Sequence, residues 1–179
     1  MTLTIQSFGS RFSFEMIKDE VVIGGLAYAS EMRSPKGNAA FASAKAHIHG
    51  VDIEITAQNS NSMRGAMKFY ISKADDRMGE LEFDWKGRGK LELRRVDGGK
   101  DEFKIKPKGV NSWWFLVEQN GHPILELRPT EKFSKESYDF DVRPRSRRMP
   151  PRIMDELCVY CGFAANIYMA KMASSSRGR

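Results

Sequence analysis

Few residues in this chain stand at spacings that do chemistry. His47 and His49 lie two apart, so on a strand both imidazoles would share a face, with Asp52 and Glu54 just beyond. Zinc needs a third or fourth ligand and a supporting layer of hydrogen bonds, and His122 is distant in sequence, so no metal is expected. Cys158 and Cys161 spell CxxC without a second ligand pair and fall inside an apolar stretch, which reads as packed thiols. Gly87-x-Gly89 is followed by Glu92 where a dinucleotide loop needs its third glycine. Asp75-Asp76 reads as a turn rather than an acid–base pair. Neither the nucleophile elbow Gly-x-Ser-x-Gly nor the eight-residue phosphate loop occurs. No catalytic residue and no cofactor are therefore expected, and the chain reads as a non-enzyme.

Charge is the stronger signal. The net charge of +6 is unevenly divided: residues 1–85 hold 9 Lys+Arg against 11 Asp+Glu, and the remainder holds 20 against 12. Such a basic half points to a partner carrying phosphate, nucleic acid or anionic lipid. Between 86 and 108 stand nine cations against four acids. The side chains expected to hold an anion are Lys86, Arg88, Lys90, Arg94, Lys104 and Lys106, joined by Arg143, Arg145, Arg147 and Arg148. Lys108 would continue the face of Lys104 and Lys106 if the strand runs that far. The plain alternative is a solvated wall on which these charges never converge. Trp113-Trp114-Phe115-Leu116-Val117 breaks alternation with five bulky residues. It reads as a strand covered on both faces, or as a platform for membrane or base contact.

The elements that must position these groups are strands. Leu81, Phe83 and Trp85 alternate with acids, Leu91 and Leu93 with Glu92 and Arg94, and Phe103 and Ile105 with lysines. That period of two marks half-buried antiparallel strands. Strands are predicted near 3–8, 11–17, 20–28, 39–49, 51–57, 66–74, 79–86, 90–96, 101–107, 112–118, 122–128 and 137–143. Asn120-Gly121 is a favoured hairpin turn, Gly24-Gly25 marks a bulge, and residues 34–38 form a loop. Pro107 and Pro129 stand where strands stop, and Pro123 where one starts.

After the basic connector 143–148 the pattern changes. Pro150-Pro151 opens a helix, and Asp155 and Glu156 stand in its early turns, where the dipole favours acids. From Leu157 to Ala170 the helix is apolar nearly all round, so protein or lipid must surround it. Fourteen residues fall short of the roughly 20 that span a bilayer, and no transmembrane span is expected. Some twelve strands close into a lumen too wide for their own side chains, and this helix is the plug. The fold expected is mainly β: a roughly twelve-stranded antiparallel closed barrel around one buried hydrophobic C-terminal helix. It forms a single domain over 1–173, with the helix at 151–173 and a frayed tail at 174–179. The N-terminus lacks the basic head and apolar run of a secretory signal, which points to a cytoplasmic protein.

Order and pattern together carry a likeness. Asp101-Glu102-Phe103-Lys104-Ile105 leads to Ser112-Trp113-Trp114-Phe115-Leu116, then to Asn120-Gly121 and Pro123-Ile124-Leu125-Glu126-Leu127. Residues 132–140 and Cys161-Gly162-Phe163 complete it. Over residues 80–172 the chain resembles the tubby C-terminal-like superfamily, which includes tubby, phospholipid scramblase and LURP-one-related proteins. The resemblance implies a closed barrel around a hydrophobic helix and a non-enzymatic role. It also implies phosphoinositide or membrane contact through basic side chains, with Lys86-x-Arg88 similar to tubby's phosphate-contacting pair. The expected partner is thus an anionic phospholipid met from the membrane periphery. Two alternatives stay open: a nucleic-acid-binding β domain, and a structural or protein-interaction domain with no charged ligand. Oligomeric state is left open.

Overall fold

A computed structural model describes residues 2–8, 13–33, 39–58, 67–84, 86–108, 114–130, 139–146 and 149–175. Twelve strands run in chain order: β1 (Leu3–Ser7), β2 (Phe14–Lys18), β3 (Val21–Arg33), β4 (Ala39–Ile48), β5 (Val51–Ala57) and β6 (Met67–Lys73). They continue as β7 (Asp76–Phe83), β8 (Gly89–Arg94), β9 (Lys100–Pro107), β10 (Phe115–Gln119), β11 (His122–Pro129) and β12 (Phe140–Pro144). A single helix follows, α1 (Pro151–Ser175). Each strand pairs antiparallel with its chain neighbours, and β1 closes on β12 with Leu3 opposite Val142 and Ile5 opposite Phe140. The barrel has no free edge, so every strand's amide row is spent on a neighbour.

Alternation sets the register. Phe83, Leu91, Phe103, Phe115 and Phe140 point inward and are buried, while the charged residues between them face out. Slipping any one strand by a residue would turn its apolar set to solvent, so the pattern specifies the pairing. The Gly24-Gly25 expectation holds, since the β2–β3 register shifts beside Gly24, between Met16 and Ile17. Asn120 and Gly121 both take positive φ, as the hairpin turn requires. Pro107 and Pro129 are the last residues of their strands. The expected loop at 34–38 lies outside the described residues.

α1 threads the lumen. Its side chains from Met154 to Met169 are buried except those of Glu156 and Tyr168, which are half-buried. Partners come from all round the wall. Phe163 stacks on Tyr28 of β3 at 5.8 Å between centroids and meets Phe69 of β6 edge-on at 5.0 Å. Tyr168 meets Phe115 of β10 edge-on at 5.5 Å. A Cβ at Gly162 would come within 2.9 Å of the Phe14 ring and 3.0 Å of Ile5 Cδ1. Only glycine lets the helix lie so close to β1 and β2. Cys158 and Cys161 are free, buried thiols, and burial pushes both pKa values up, so neither is poised to react. The helix runs two residues past the expected 173, and residues 176–179 lie outside the described set.

The acids of α1 find a different use from the one expected. Neither falls in the first turn of the helix. Asp155 is 3% exposed and accepts from Lys18 Nζ at 2.9 Å, with His49 Nε2 also 2.9 Å away. Lys73 Nζ donates to Glu156 at 2.6 Å. Side chains of β2, β6 and the β4–β5 turn thus tie the start of the helix to one mouth of the barrel. Each contact is a long-range lock rather than a dipole effect.

Candidate functional site

The outer wall carries the chemistry, because the lumen is filled by α1. Along β7, β8 and β9 the outward positions mix acids and lysines, with Glu80, Glu92 and Glu102 in one row across the strands. Glu82 stands opposite Lys90, and Lys90 opposite Lys104. Lys90 Nζ lies 2.7 Å from Glu92 and 3.0 Å from Glu102, and those hydrogen bonds hold its ammonium pKa up at about 12. Lys100 reaches Glu92 at 3.4 Å, and Lys106 reaches Glu118 at 2.7 Å. Exposed pairs of this kind each contribute about 0–1 kcal/mol. They also cancel the charge an anion would need. Among the described residues Lys104 and Arg94 carry no ion pair, but Lys104 lies within the wall and Arg94 ends β8 at the rim.

Lys86-Gly87-Arg88 forms the β7–β8 turn, and Asp84 organises it. Its Oδ1 accepts from the backbone N–H groups of Lys86 at 2.8 Å and Arg88 at 2.9 Å, while Arg88 Nε donates to Oδ2 at 2.9 Å. Partial burial would raise the Asp84 carboxyl, yet the bonds from Arg88 and Lys86 bring it below its ordinary value. Gly87 takes φ +80°, and a Cβ there would strike the Tyr168 ring at 2.6 Å and Pro107 Cγ at 2.8 Å. The turn therefore rests on the end of β9, beside Lys106 and Lys108.

The densest group lies on β11. Glu126 is 3% exposed although it points outward, opposite Leu116 on one side and Arg143 on the other. Arg128 donates to its Oε2 through Nε at 3.0 Å and Nη2 at 2.8 Å, and Arg145 Nη2 donates to the same oxygen at 2.9 Å. Lys108 Nζ takes Oε1 at 3.2 Å. Desolvation alone would raise this carboxyl, but the bonds from Arg145, Arg128 and Lys108 outweigh it and bring the pKa to about 2. Trp114 lies under the group, with the Arg128 guanidinium 4.0 Å and the Lys108 ammonium 5.5 Å from its ring centroid. Such cation–π contacts contribute about 0.5–2 kcal/mol and fix where the charges sit. Arg143 reaches Asp141 only at 4.0 Å.

Of the expected residues the structure thus brings Arg143 and Arg145 to one face with Lys108, leaves Lys106 paired to Glu118 beside it, and brings the Lys86–Arg88 turn to its border. It does not gather Lys90 and Arg94. Arg147 and Arg148 lie outside the described residues, as does Trp113. Arg128 and Glu126 were missed by sequence reasoning. Alternation shows Glu126 facing out, but nothing in the sequence shows that side chains 18 residues upstream and 19 downstream would cover it. The two histidines separate: His47 pairs with Asp52 at 2.7 Å on the outer wall, whereas His49 turns into the β4–β5 hairpin and meets Asp155. Among the described residues no three metal-ligating side chains converge.

No helix among the described residues is long and apolar enough to cross a membrane. Compared with family models, with curated proteins and with solved structures, the chain finds no match in any of the three.

Proposed function

We propose that the chain is a non-enzymatic binding module that holds the phosphate of an anionic lipid headgroup on the outer wall of β9–β12. One observation carries the reading: a single buried carboxylate, Glu126, positions three cations that outnumber it. Two guanidinium groups and one ammonium converge there, and each keeps N–H groups beyond those given to Glu126. That surplus suits a phosphate monoester, which accepts planar, bidentate contacts from arginine. Their geometry is set before any ligand arrives, so little side-chain freedom is left to lose on binding. Trp114 beside the cluster suits the headgroup level of a bilayer, where amphipathic rings settle. Nucleic acid is the weaker partner, because Arg128 already covers the Trp114 ring on which a base would stack.

Liposome co-sedimentation tests this directly. Vesicles of neutral lipid alone, the same vesicles with a phosphoinositide, and a charge-matched oligonucleotide are compared at low and high salt. Retention on phosphoinositide vesicles, reduced at least about tenfold by Arg128→Ala with Arg145→Ala, is expected, since each cation near such a surface contributes about 1 kcal/mol. Equal binding to oligonucleotide would replace this reading with a generic polyanion surface. Undiminished vesicle binding by the double variant would remove the site from the wall of β9–β12.

A further inference from the structure

At the mouth where α1 enters, two connections place a side-chain carbonyl just before a glycine. Asn120-Gly121 joins β10 to β11, and Asp97-Gly98 lies in the β8–β9 connection, residues 95–99. In both, the glycine leaves its backbone nitrogen open to that carbonyl, because no Cβ stands in the way. Their surroundings differ.

Asp97 is held out of such a reaction. Its Oδ1 accepts from the Gly99 N–H at 2.9 Å and from Arg95 Nε at 3.2 Å. The Gly99 bond first, and then the Arg95 charge, hold this carboxyl below its ordinary value, so it stays ionised and resists a nucleophile. Asn120 has neither protection. Its side chain is an uncharged amide, and among the described residues it has no hydrogen-bond partner. Asn120 and Gly121 are both exposed, and a Cβ built on Gly121 would meet no atom within 4 Å. The end of the hairpin is also lightly tied. Register shifts between Val117 and Glu118, and beyond the shift only Glu118 with Pro123 and Gln119 with His122 are paired. Pro123 has no N–H to give to that ladder. Such an end opens locally at little cost, which lets the turn swing out of its positive-φ form. Asn166, the other asparagine among the described residues, is 1% exposed inside α1 and precedes the branched Ile167.

We infer that Asn120 is a self-modification site, where the chain converts its own asparagine to aspartate and isoaspartate. The Gly121 backbone nitrogen gives its proton to solvent base and attacks Asn120 Cγ. The N–Cγ bond forms, the Cγ–Nδ2 bond breaks, and ammonia leaves with a proton from water, closing a cyclic imide. Water then opens that ring at either carbonyl. Opening at Cγ gives aspartate, while opening at the main-chain carbonyl reroutes the backbone through Cγ and gives isoaspartate. No oxidant or reductant takes part. Either product adds a negative charge to the turn, and the isoaspartyl form adds a methylene to the main chain of a tight hairpin. It also presents a free α-carboxylate of the kind that an isoaspartyl methyltransferase esterifies. The site does not draw on the cation cluster around Glu126.

The test stores the intact chain at mildly alkaline pH in heavy-oxygen water and maps its peptides by mass spectrometry. A synthetic peptide of residues 115–125 and the Asn120→Gly variant run beside it, since Gly-Gly also suits this turn. The peptide spanning Asn120 should lose ammonia and gain heavy oxygen at a rate within about tenfold of the synthetic peptide's, as opening at a hairpin end allows. Isoaspartyl methyltransferase with a labelled methyl donor should mark that peptide in the aged wild-type chain and leave it unmarked in Asn120→Gly. An Asn120 peptide that stays unlabelled in the folded chain while the synthetic peptide converts would overturn the inference. So would conversion that appears only once urea has unfolded the chain.

Discussion

Two stretches of the same outer wall use cations in opposite ways. On β8 and β9 Lys90, Lys100 and Lys106 each have acids close by on the same wall, and Lys90 has two. Around β11 three cations share the one buried carboxylate of Glu126: Arg128 on β11 itself, Lys108 just past the end of β9 and Arg145 just past the end of β12. The first stretch is richer in lysine along the sequence, yet its charge is spent laterally between strands. The second is sparser and keeps a surplus. The number of basic residues in a run therefore says little about anion binding; the ratio of cations to the carboxylates that anchor them decides it.

The sharpest way to break that comparison is Glu126→Gln. Removing the shared partner of three cations at a buried position should cost about 3–5 kcal/mol in urea unfolding at neutral pH. The same change should tighten phosphoinositide vesicle binding, because the competing carboxylate is gone. Loss of stability with weaker vesicle binding would mean that Glu126 only holds the wall together.

Acid should act on the same group with a comparable but smaller effect. Its folded pKa is depressed, from an ordinary 4.5 to about 2. The stabilisation is therefore fully present above the unfolded value and is lost as pH falls from about 4.5 through about 2. About 3 kcal/mol should disappear over that window in wild type and be missing from Glu126→Gln, as measured by the urea midpoint against pH. Parallel curves for the two proteins would show that Arg128, Arg145 and Lys108 do not hold the carboxylate as the geometry indicates.

Least should follow from the ladder on β8 and β9. Lys90→Gln removes an exposed ammonium from between Glu92 and Glu102, and stability should move by no more than about 0.5 kcal/mol. Vesicle binding should change less than twofold. A large loss of binding would place the anion on this stretch instead and make the two walls alike.

Much of the architecture was legible in the residues. Eleven of the twelve strands stand within about three residues of where they are expected, most firmly in the second half, where a half-buried wall imposes a period of two, while β3 runs five residues further, to Arg33. The plug was legible too, since Leu157–Ala170 has no polar face to offer water. The anion surface was legible only in part. Arg145 and Lys108 belong to basic runs, but Arg128 stands alone between Leu127 and Pro129 and gives no local sign.

What the sequence by itself determined is whatever rests on local periodicity and turn chemistry: which residues face in, where hairpins close, and that one helix must be enclosed. Tertiary structure alone decided which charges meet. Lys108, Arg128 and Arg145 converge on Glu126 because β9–β12 lie side by side, and Asp155 meets His49 across 106 residues of chain. Charge–charge contact is governed by separation in space, and in a closed barrel that separation is set by strand order and stagger rather than by distance along the chain.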